Sequence, residues 1–431
     1  MSWVRKGLLA GVVVKLALGI WLFGPTPPVA DTAATPSVTA GETAQTSVER
    51  GRYLATVGNC QGCHTPLGGP AWAGGVPITT PFGTVYGSNL TPAPLGLGGW
   101  TSSDFWRALH HGQSKDGRLL NPAFPYPNTT HISRADSDAL WAFFQSLPPV
   151  NTPTPPNQMR WPFNTQAALK VWRALYFRPA PVVQEAPTSG VLRGAYLVQG
   201  LAHCSACHTS RNAWGGGRDL LGLAGGLMPG QGGYAPSLLD PNSGGVQRWS
   251  EADTVAFFQT GRNAHASASG AMAEVVFHST QHWQAPDLKA MAAYLRSLPN
   301  TPTSAPPGAP LAQGAVGETG AKLYRQHCAE CHGDQGEGAR LTNGQWAYPP
   351  LAGNRALDAV SPANVVKTIL YGGFGAATAG HPQPFGMPPF VQVLSDSDVA
   401  AVATHLRTQW GHQAGSVSPI EVMQWRAGTR P

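Results

Sequence analysis

The stretch Cys204-Ser205-Ala206-Cys207-His208 has two counterparts in the chain, Cys60-Gln61-Gly62-Cys63-His64 and Cys328-Ala329-Glu330-Cys331-His332. Together the three stretches contain all 6 cysteines, so none is left for a separate disulfide framework. They recur at intervals much longer than the repeat unit of a solenoid, so we expect each copy to be a small domain of its own.

A C-x-x-C pair followed directly by histidine is typical of covalent c-type haem attachment. Two thiols on one helical turn can add to the two porphyrin vinyl groups, and the adjacent imidazole can bind the iron as proximal ligand. The pattern therefore predicts three covalently bound haem c groups. Their attachment residues would be Cys60 and Cys63, Cys204 and Cys207, and Cys328 and Cys331, with His64, His208 and His332 as the proximal ligands.

Two other uses of such cysteine pairs compete with haem. Structural zinc needs two pairs separated by about 15–20 residues, whereas these pairs lie far apart in the chain. A thioredoxin-like redox site would sit in a strand-helix-strand pattern, which does not surround any of the three pairs. The threefold repetition favours haem over both.

An electron carrier of this kind is expected to have a second axial ligand, and a methionine sulfur there raises the reduction potential. We expect this ligand after each cysteine pair and before the last helix of its domain. Met387, followed by Pro388 and Pro389, fits the third domain, and Met272 fits the second. Met228 is a weaker competitor, because its glycine-rich loop comes too early in the chain.

The first domain departs from this pattern. No methionine lies between Cys63 and the last helix of the domain, where the loop carries Phe124, a residue that cannot ligate iron. His110, His111 and His131 are the candidate replacements, and His110 is favoured because it precedes the loop on a predicted helix. A site with two histidine ligands would have a lower potential than one with histidine and methionine. Alternatively, these histidines lie on the surface and the first iron is five-coordinate or has another ligand.

Helical patterns frame each copy. A glycine followed by an aromatic residue precedes each cysteine pair, and an amphipathic helix closes each copy; small residues in the first helix would allow the two to cross closely. Capping-box helix starts are predicted at four places: Thr101 with Asp104, Ser133 with Asp136, Ser250 with Asp253, and Ser395 with Asp398.

The N-terminal segment is predicted to be a membrane anchor. Arg5 and Lys6 precede the apolar run of residues 7–24, which as a helix would be about 27 Å long, near the thickness of a bilayer core. Lys15 interrupts the run. A cleaved signal peptide is the alternative, with Thr32-Ala33-Ala34 as a weak cleavage site. Either segment would place the rest of the chain outside the bacterial inner membrane, on its periplasmic face, where haem is attached.

The composition narrows the function. The chain has 431 residues, of which 42% are hydrophobic and only 12% charged, so it has enough apolar material for cores and cannot be disordered throughout. Its net charge of +6 is modest and no basic run marks a nucleic-acid site. Membrane orientation and docking to a partner are the expected uses of this charge.

The chain resembles the three-haem cytochrome c subunits of bacterial membrane-bound dehydrogenases. The resemblance covers residues 48–411 and rests on the following motifs: Gly51-Arg52-Tyr53-Leu54, Thr80-Pro81-Phe82-Gly83-Thr84, Asn89-Leu90-Thr91-Pro92, Arg193-Gly194-Ala195-Tyr196-Leu197-Val198, His203 to Thr209, and Met387-Pro388. It implies that Met272 and Met387 are axial ligands. Phe124 departs from the methionine of the alcohol and gluconate dehydrogenase subunits and looks more like the cytochromes of molybdenum-dependent oxidoreductases.

The resemblance also implies a function. Electrons would come from a catalytic dehydrogenase subunit of molybdenum-dependent or quinoprotein type, with or without a small third subunit, during aldehyde or alcohol oxidation. They would pass through the three haems to ubiquinone or a terminal oxidase, and the chain alone would not be an enzyme. Two rivals are a peroxidase-like haem enzyme with an open first haem, and a carrier that donates directly to a terminal oxidase.

The expected fold is mainly α, with three tandem class I cytochrome c domains joined by Gly/Pro-rich segments and preceded by one N-terminal transmembrane helix. The expected boundaries are 1–30 for the anchor or signal segment, 45–150 for the first domain, 151–187 for a linker with a strap helix, 188–300 for the second domain, 301–315 for a linker, 316–412 for the third domain and 413–431 for a C-terminal tail.

Overall fold

The computed structural model describes residues 19, 22, 24–30, 43–228, 230, 232–302, 315–342, 344 and 346–426. Their contacts divide the chain into two compact units. Unit 1 holds the described residues within Met1–Ala55, Cys63–Ala186 and Asn212–Leu220, and unit 2 holds those within Thr56–Gly62, Pro187–Arg211 and Leu221–Pro431. The predicted second and third domains thus fall together in unit 2, and the predicted boundaries stay predictions.

The helices are short and loops make up much of the rest. The α-helices are α1 (Ala44–Val57), α2 (Cys60–His64), α3 (Ser102–His111), α4 (Tyr126–Thr129), α5 (Arg134–Gln145), α6 (Gln166–Tyr176), α7 (Gly190–Ala195), α8 (Ser205–His208), α9 (Glu251–Thr260), α10 (Ala271–His278), α11 (Ala285–Ser297), α12 (Ala315–His327), α13 (Ala329–His332), α14 (Ala363–Tyr371), α15 (Asp396–Thr408) and α16 (Pro419–Arg426). A π-helix continues α7 over Tyr196–Leu201, and three 3₁₀ turns cover Val246–Arg248, Thr280–His282 and Arg355–Asp358.

The strands form small antiparallel ribbons. They are β1 (Pro77–Thr80), β2 (Gly83–Tyr86), β3 (Gln158–Met159), β4 (Gly226–Met228), β5 (Gly233–Ala235), β6 (Ala339–Arg340), β7 (Trp346–Tyr348), β8 (Gly373–Phe374) and β9 (Gly386–Met387). β2 lies between β1 and β3, and the other strands pair as β4 with β5, β6 with β7 and β8 with β9. In β1 and β2, Ile78 faces Val85, which is buried.

One crossing of two helices recurs three times. In each copy a glycine of the first helix lies against a backbone carbonyl of the last helix, and an added Cβ would overlap that oxygen. The pairs are Gly51 with Ala139, Gly194 with Ala290, and Gly320 with Ala401. The expectation that small residues permit a close crossing is therefore confirmed.

The predicted helix starts are also found. Thr101 and Ser395 form complete capping boxes, in which the cap side chain accepts from the N3 backbone and the N3 aspartate accepts from the cap backbone. Ser133 and Ser250 accept from the N3 amide in the same way. The aspartates at these starts stabilise helix ends.

The strap helix α6 and the C-terminal segment both pack on their own units. In unit 1, Trp172 and Phe177 share a buried cluster with Tyr126, whose ring lies 4.8 Å from that of Phe177. In unit 2, Val422 and Trp425 of α16 are buried in the core of the third domain. The segment predicted to be a C-terminal tail therefore contributes a helix to that core.

The fold prediction is confirmed as mainly α and is wrong on its transmembrane helix. No helix among the described residues is long and apolar enough to cross a membrane. Lys15 stands in the middle of the predicted span, where a charge is costly in a bilayer. Residues 7–18, 20, 21 and 23 of that span lie outside the described part of the chain.

Candidate haem-binding sites

The cysteine pairs lie on short helical turns. α2, α8 and α13 begin at or next to the first cysteine and end at the histidine. Residues three apart on a helix are neighbours on one face, so the two thiols of each pair can reach the same side of a flat group. All six cysteines are free thiols. This is the arrangement that attachment to two vinyl groups requires.

The three predicted proximal histidines share one hydrogen bond. The Nδ1 atom of each lies against a backbone carbonyl oxygen: 2.6 Å for His64 with Ser88, 2.8 Å for His208 with Pro236, and 3.0 Å for His332 with Pro349. The bond fixes the tautomer and ring orientation and leaves Nε2 for a metal, as a second partner of a ligating histidine does. The same contact therefore recurs in all three copies.

These rings are held in the neutral state. Burial lowers the pKa of His64, His208 and His332, and the hydrogen bond to the carbonyl only partly opposes this. Neutral imidazole is the form that binds a metal.

The cysteines suit thioether formation better than zinc binding. Burial raises the pKa of Cys204 to about 12 and that of Cys328 to about 11, with the paired cysteine adding to the effect. Zinc binds the thiolate, which such surroundings disfavour. Across the described residues, no three or more His, Cys, Asp or Glu side chains come together as a metal site. The donor set therefore fits haem.

The two predicted methionine ligands lie in short elements beside the cores. Met387 is in β9, opposite Gly373 of β8, and packs against the core of the third domain. Met272 is the second residue of α10 and packs against a small cluster that includes Val276. The competitor Met228 lies in β4, whose partner β5 leads directly to Pro236, the residue that bonds His208. That position is on the proximal side and does not favour Met228.

His110 occupies a buried place in the first domain. Its side chain stacks on Trp106 with ring centroids 4.4 Å apart, and its Nδ1 has no hydrogen-bond partner. Burial lowers its pKa to about 4, and His111 and His131 add to this effect. A buried imidazole nitrogen without a partner is compatible with metal binding. The described contacts do not join His110 to α2, so its role as sixth ligand stays a prediction.

Sequence reasoning missed the carbonyl acceptors of the proximal histidines. Ser88, Pro236 and Pro349 have no side-chain group that points to this role. A leucine two residues later in each copy marks the same position: Leu90, Leu238 and Leu351. Aligning the three copies on these leucines would have found the acceptors.

Comparison with known proteins agrees with this geometry. The cytochrome c family profile matches residues 317–410, the third domain. The protein named alcohol dehydrogenase (quinone), cytochrome c subunit, of Gluconobacter oxydans is 37% identical over 402 residues, which cover 89% of this chain and 83% of that protein. The gluconate 2-dehydrogenase cytochrome c subunit of Pantoea cypripedii is 37% identical over 392 residues, covering 85% of this chain and 86% of that protein.

This chain belongs to the family of dehydrogenase cytochrome c subunits. The cytochrome subunit is an electron-transfer protein, which confirms the prediction that the chain is not an enzyme by itself, and it binds haem c covalently. It is also 38% identical over 410 residues to one subunit of the nicotinate dehydrogenase of Pseudomonas putida. That match covers 93% of the cytochrome subunit and 33% of the longer protein.

Proposed function

We propose that the chain carries three haem c groups and relays electrons between a dehydrogenase and the respiratory chain. The observation that supports three groups is the contact between histidine Nδ1 and a backbone carbonyl, which recurs beside every C-x-x-C pair. Each haem would be attached through the two cysteines of one pair. His64, His208 and His332 would be the proximal ligands.

The distal ligands are proposed to differ between domains. Met272 and Met387 would bind the second and third irons, and His110 the first. Each haem supplies an iron that takes up and gives back one electron. The protein holds the imidazole in one orientation, keeps it neutral by burial, and packs apolar side chains around the group. Histidine in place of methionine would make the first haem the low-potential member.

The electron donor is proposed to be a separate catalytic dehydrogenase subunit of quinoprotein or molybdenum-dependent type. Two relatives are named as cytochrome subunits of alcohol and gluconate dehydrogenases, and a third belongs to a nicotinate dehydrogenase. The proposed substrate class is alcohols or aldehydes, and the proposed acceptor is ubiquinone or a terminal oxidase. Haem attachment through thioethers takes place on the periplasmic side, which is the proposed location.

Counting the haems tests the proposal. The purified chain should give three haems per polypeptide in an alkaline pyridine assay, and its intact mass should include three added groups. Replacing both cysteines of one pair by serine, in turn for each pair, should remove one haem each time. His327→Gln, a change directly before Cys328, is the matched control and should keep all three. Fewer than three haems in the natural chain would refute the proposal.

A second test addresses the partner. The chain should copurify with a catalytic dehydrogenase subunit, and electrons from the oxidised substrate should reduce its haems in the absence of oxygen. Oxidation of an alcohol or aldehyde by the isolated chain alone would contradict the relay role.

A further inference from the structure

Residues 373–377, here called the bridging segment, connect the two loops that carry Met272 and Met387. All of these residues belong to unit 2. Gly373 pairs with Met387 in the ribbon of β8 and β9. Gly375 forms an antiparallel bridge with Ser269, which lies three residues before Met272. The backbone therefore runs from one predicted ligand loop to the other through two paired contacts.

The side chains pack along the same line. Ala376 of the bridging segment is 3% exposed and belongs to a cluster against which Met272 also packs. The other buried members of this cluster, all from the second domain, are Ala268, Ala273 and Val276. A Cβ added at Gly261 would lie 2.9 Å from the Cβ of Ala376, so the absence of a side chain at Gly261 allows this close approach.

Two side chains of the second domain hold the third domain in this position. The Gln281 amide donates from Nε2 to the carbonyl of Ala377 at 3.1 Å and accepts at Oε1 from the amide of Ala379 at 3.2 Å. Nη1 of Arg262 donates to the carbonyl of Trp346 at 2.7 Å. A segment bound at both polar groups of one amide has little freedom to slide, so the distance between the two ligand loops is fixed.

We propose that electrons pass between the second and third haem sites across the bridging segment, from the methionine side of one to the methionine side of the other. Tunnelling rates fall steeply with distance and fall less through bonded and hydrogen-bonded atoms than through gaps. The path through Ser269, Gly375 and Gly373 consists of such atoms. One ferrous iron is oxidised as the other, ferric, iron is reduced, and no proton or covalent bond changes. This inference rests on the proposed haems and ligands.

The test is the rate of electron equilibration within the full chain after partial reduction by a light flash from a photoexcited ruthenium complex. The phase that belongs to the second and third haems is identified by its loss in Met387→His, whose third iron would have too low a potential to accept the electron. Ala376→Leu adds bulk between the two loops and should slow this phase several-fold. Ala264→Leu makes the same change at an exposed alanine of the second domain and should leave it unchanged.

Haem content and the far-red band of methionine-ligated ferric haem are measured on each variant. If Ala376→Leu keeps three haems and both methionine ligands and equilibrates at the natural rate, the inference is wrong. If that variant loses a haem or a ligand, Gln281→Ala decides, because it removes the amide contact without adding bulk: a slower phase supports the bridge and an unchanged rate overturns it. Failure of the proposed function would be seen separately, as too few haems in the natural chain.

Discussion

Nδ1 of His412 donates to the carboxylate of Asp358 at 2.7 Å, while its Nε2 lies 2.9 Å from the carbonyl oxygen of Leu351. Both ring nitrogens face acceptors, so the ring is best satisfied when both carry protons. Burial by itself lowers the pKa of His412, but the two hydrogen bonds and the negative charge of Asp358 raise it above its usual value. The third domain therefore contains a buried imidazolium.

This pair predicts a pH-dependent stability of the third domain. A raised pKa in the folded state stabilises the fold fully below the pKa of the unfolded chain, about 6.5, and the contribution is lost as the pH rises through the folded value. The denaturant midpoint of this domain should fall as the pH is raised above neutrality. In His412→Gln the dependence should flatten; an equal slope in both proteins would rule out His412 as its source.

The helix crossing at Gly51 predicts a second outcome. In Gly51→Ala the new Cβ would overlap the carbonyl of Ala139, so the two helices must separate, at a cost of about 1–3 kcal/mol in the free energy of unfolding. Gly99→Ala is the matched control, because there the added atom meets only the flexible end of Lys115. Thermal unfolding of both variants should show a loss in the first and little change in the second. Equal midpoints would mean that the crossing tolerates a side chain.

Met387 predicts the properties of the third haem. Leucine has no ligating atom, so in Met387→Leu the reduction potential of one haem should fall and its reduced form should bind carbon monoxide. Met423→Leu is the control, since Met423 is 52% exposed on α16. Potentiometric titration and carbon monoxide difference spectra measure both effects. Unchanged spectra in Met387→Leu would show that another residue is the sixth ligand.

His110 predicts the behaviour of the first haem. If it is the sixth ligand, His110→Ala should open one haem to carbon monoxide while His111→Ala leaves that haem closed. The natural chain should resist cyanide and carbon monoxide at this haem. Binding by the natural chain would instead indicate an open first haem, which is the arrangement that a peroxidase-like function requires.

Local sequence patterns predicted much of the fold because their causes are local. The cap at Thr101 needs only Asp104, and the glycine of each first helix needs only a small neighbour on the last one. His405 was expected to pack and does, between the rings of Tyr324 and Trp410. Such features depend on spacing along the chain.

The remaining features depend on residues that are distant in sequence. The Asn364 amide donates to the carbonyl of Tyr234 and accepts from its amide, a contact between the second and third domains that no periodicity indicates. The acceptor carbonyls of the proximal histidines are backbone groups, so the identity of their residues says little. The burial of α16 depends on a groove in the third domain, which is built only when the chain folds.

The shared cluster around Ala376 means that the three copies are not interchangeable modules. Without the third copy, Ala268, Ala273 and Val276 of the second would be left facing water, and such a surface promotes aggregation. An ancestor with two haems could therefore not have gained the third by simple fusion of a ready-made unit. The neighbour had to acquire an apolar face and an unobstructed glycine at the same time, which ties the later history of the two copies together.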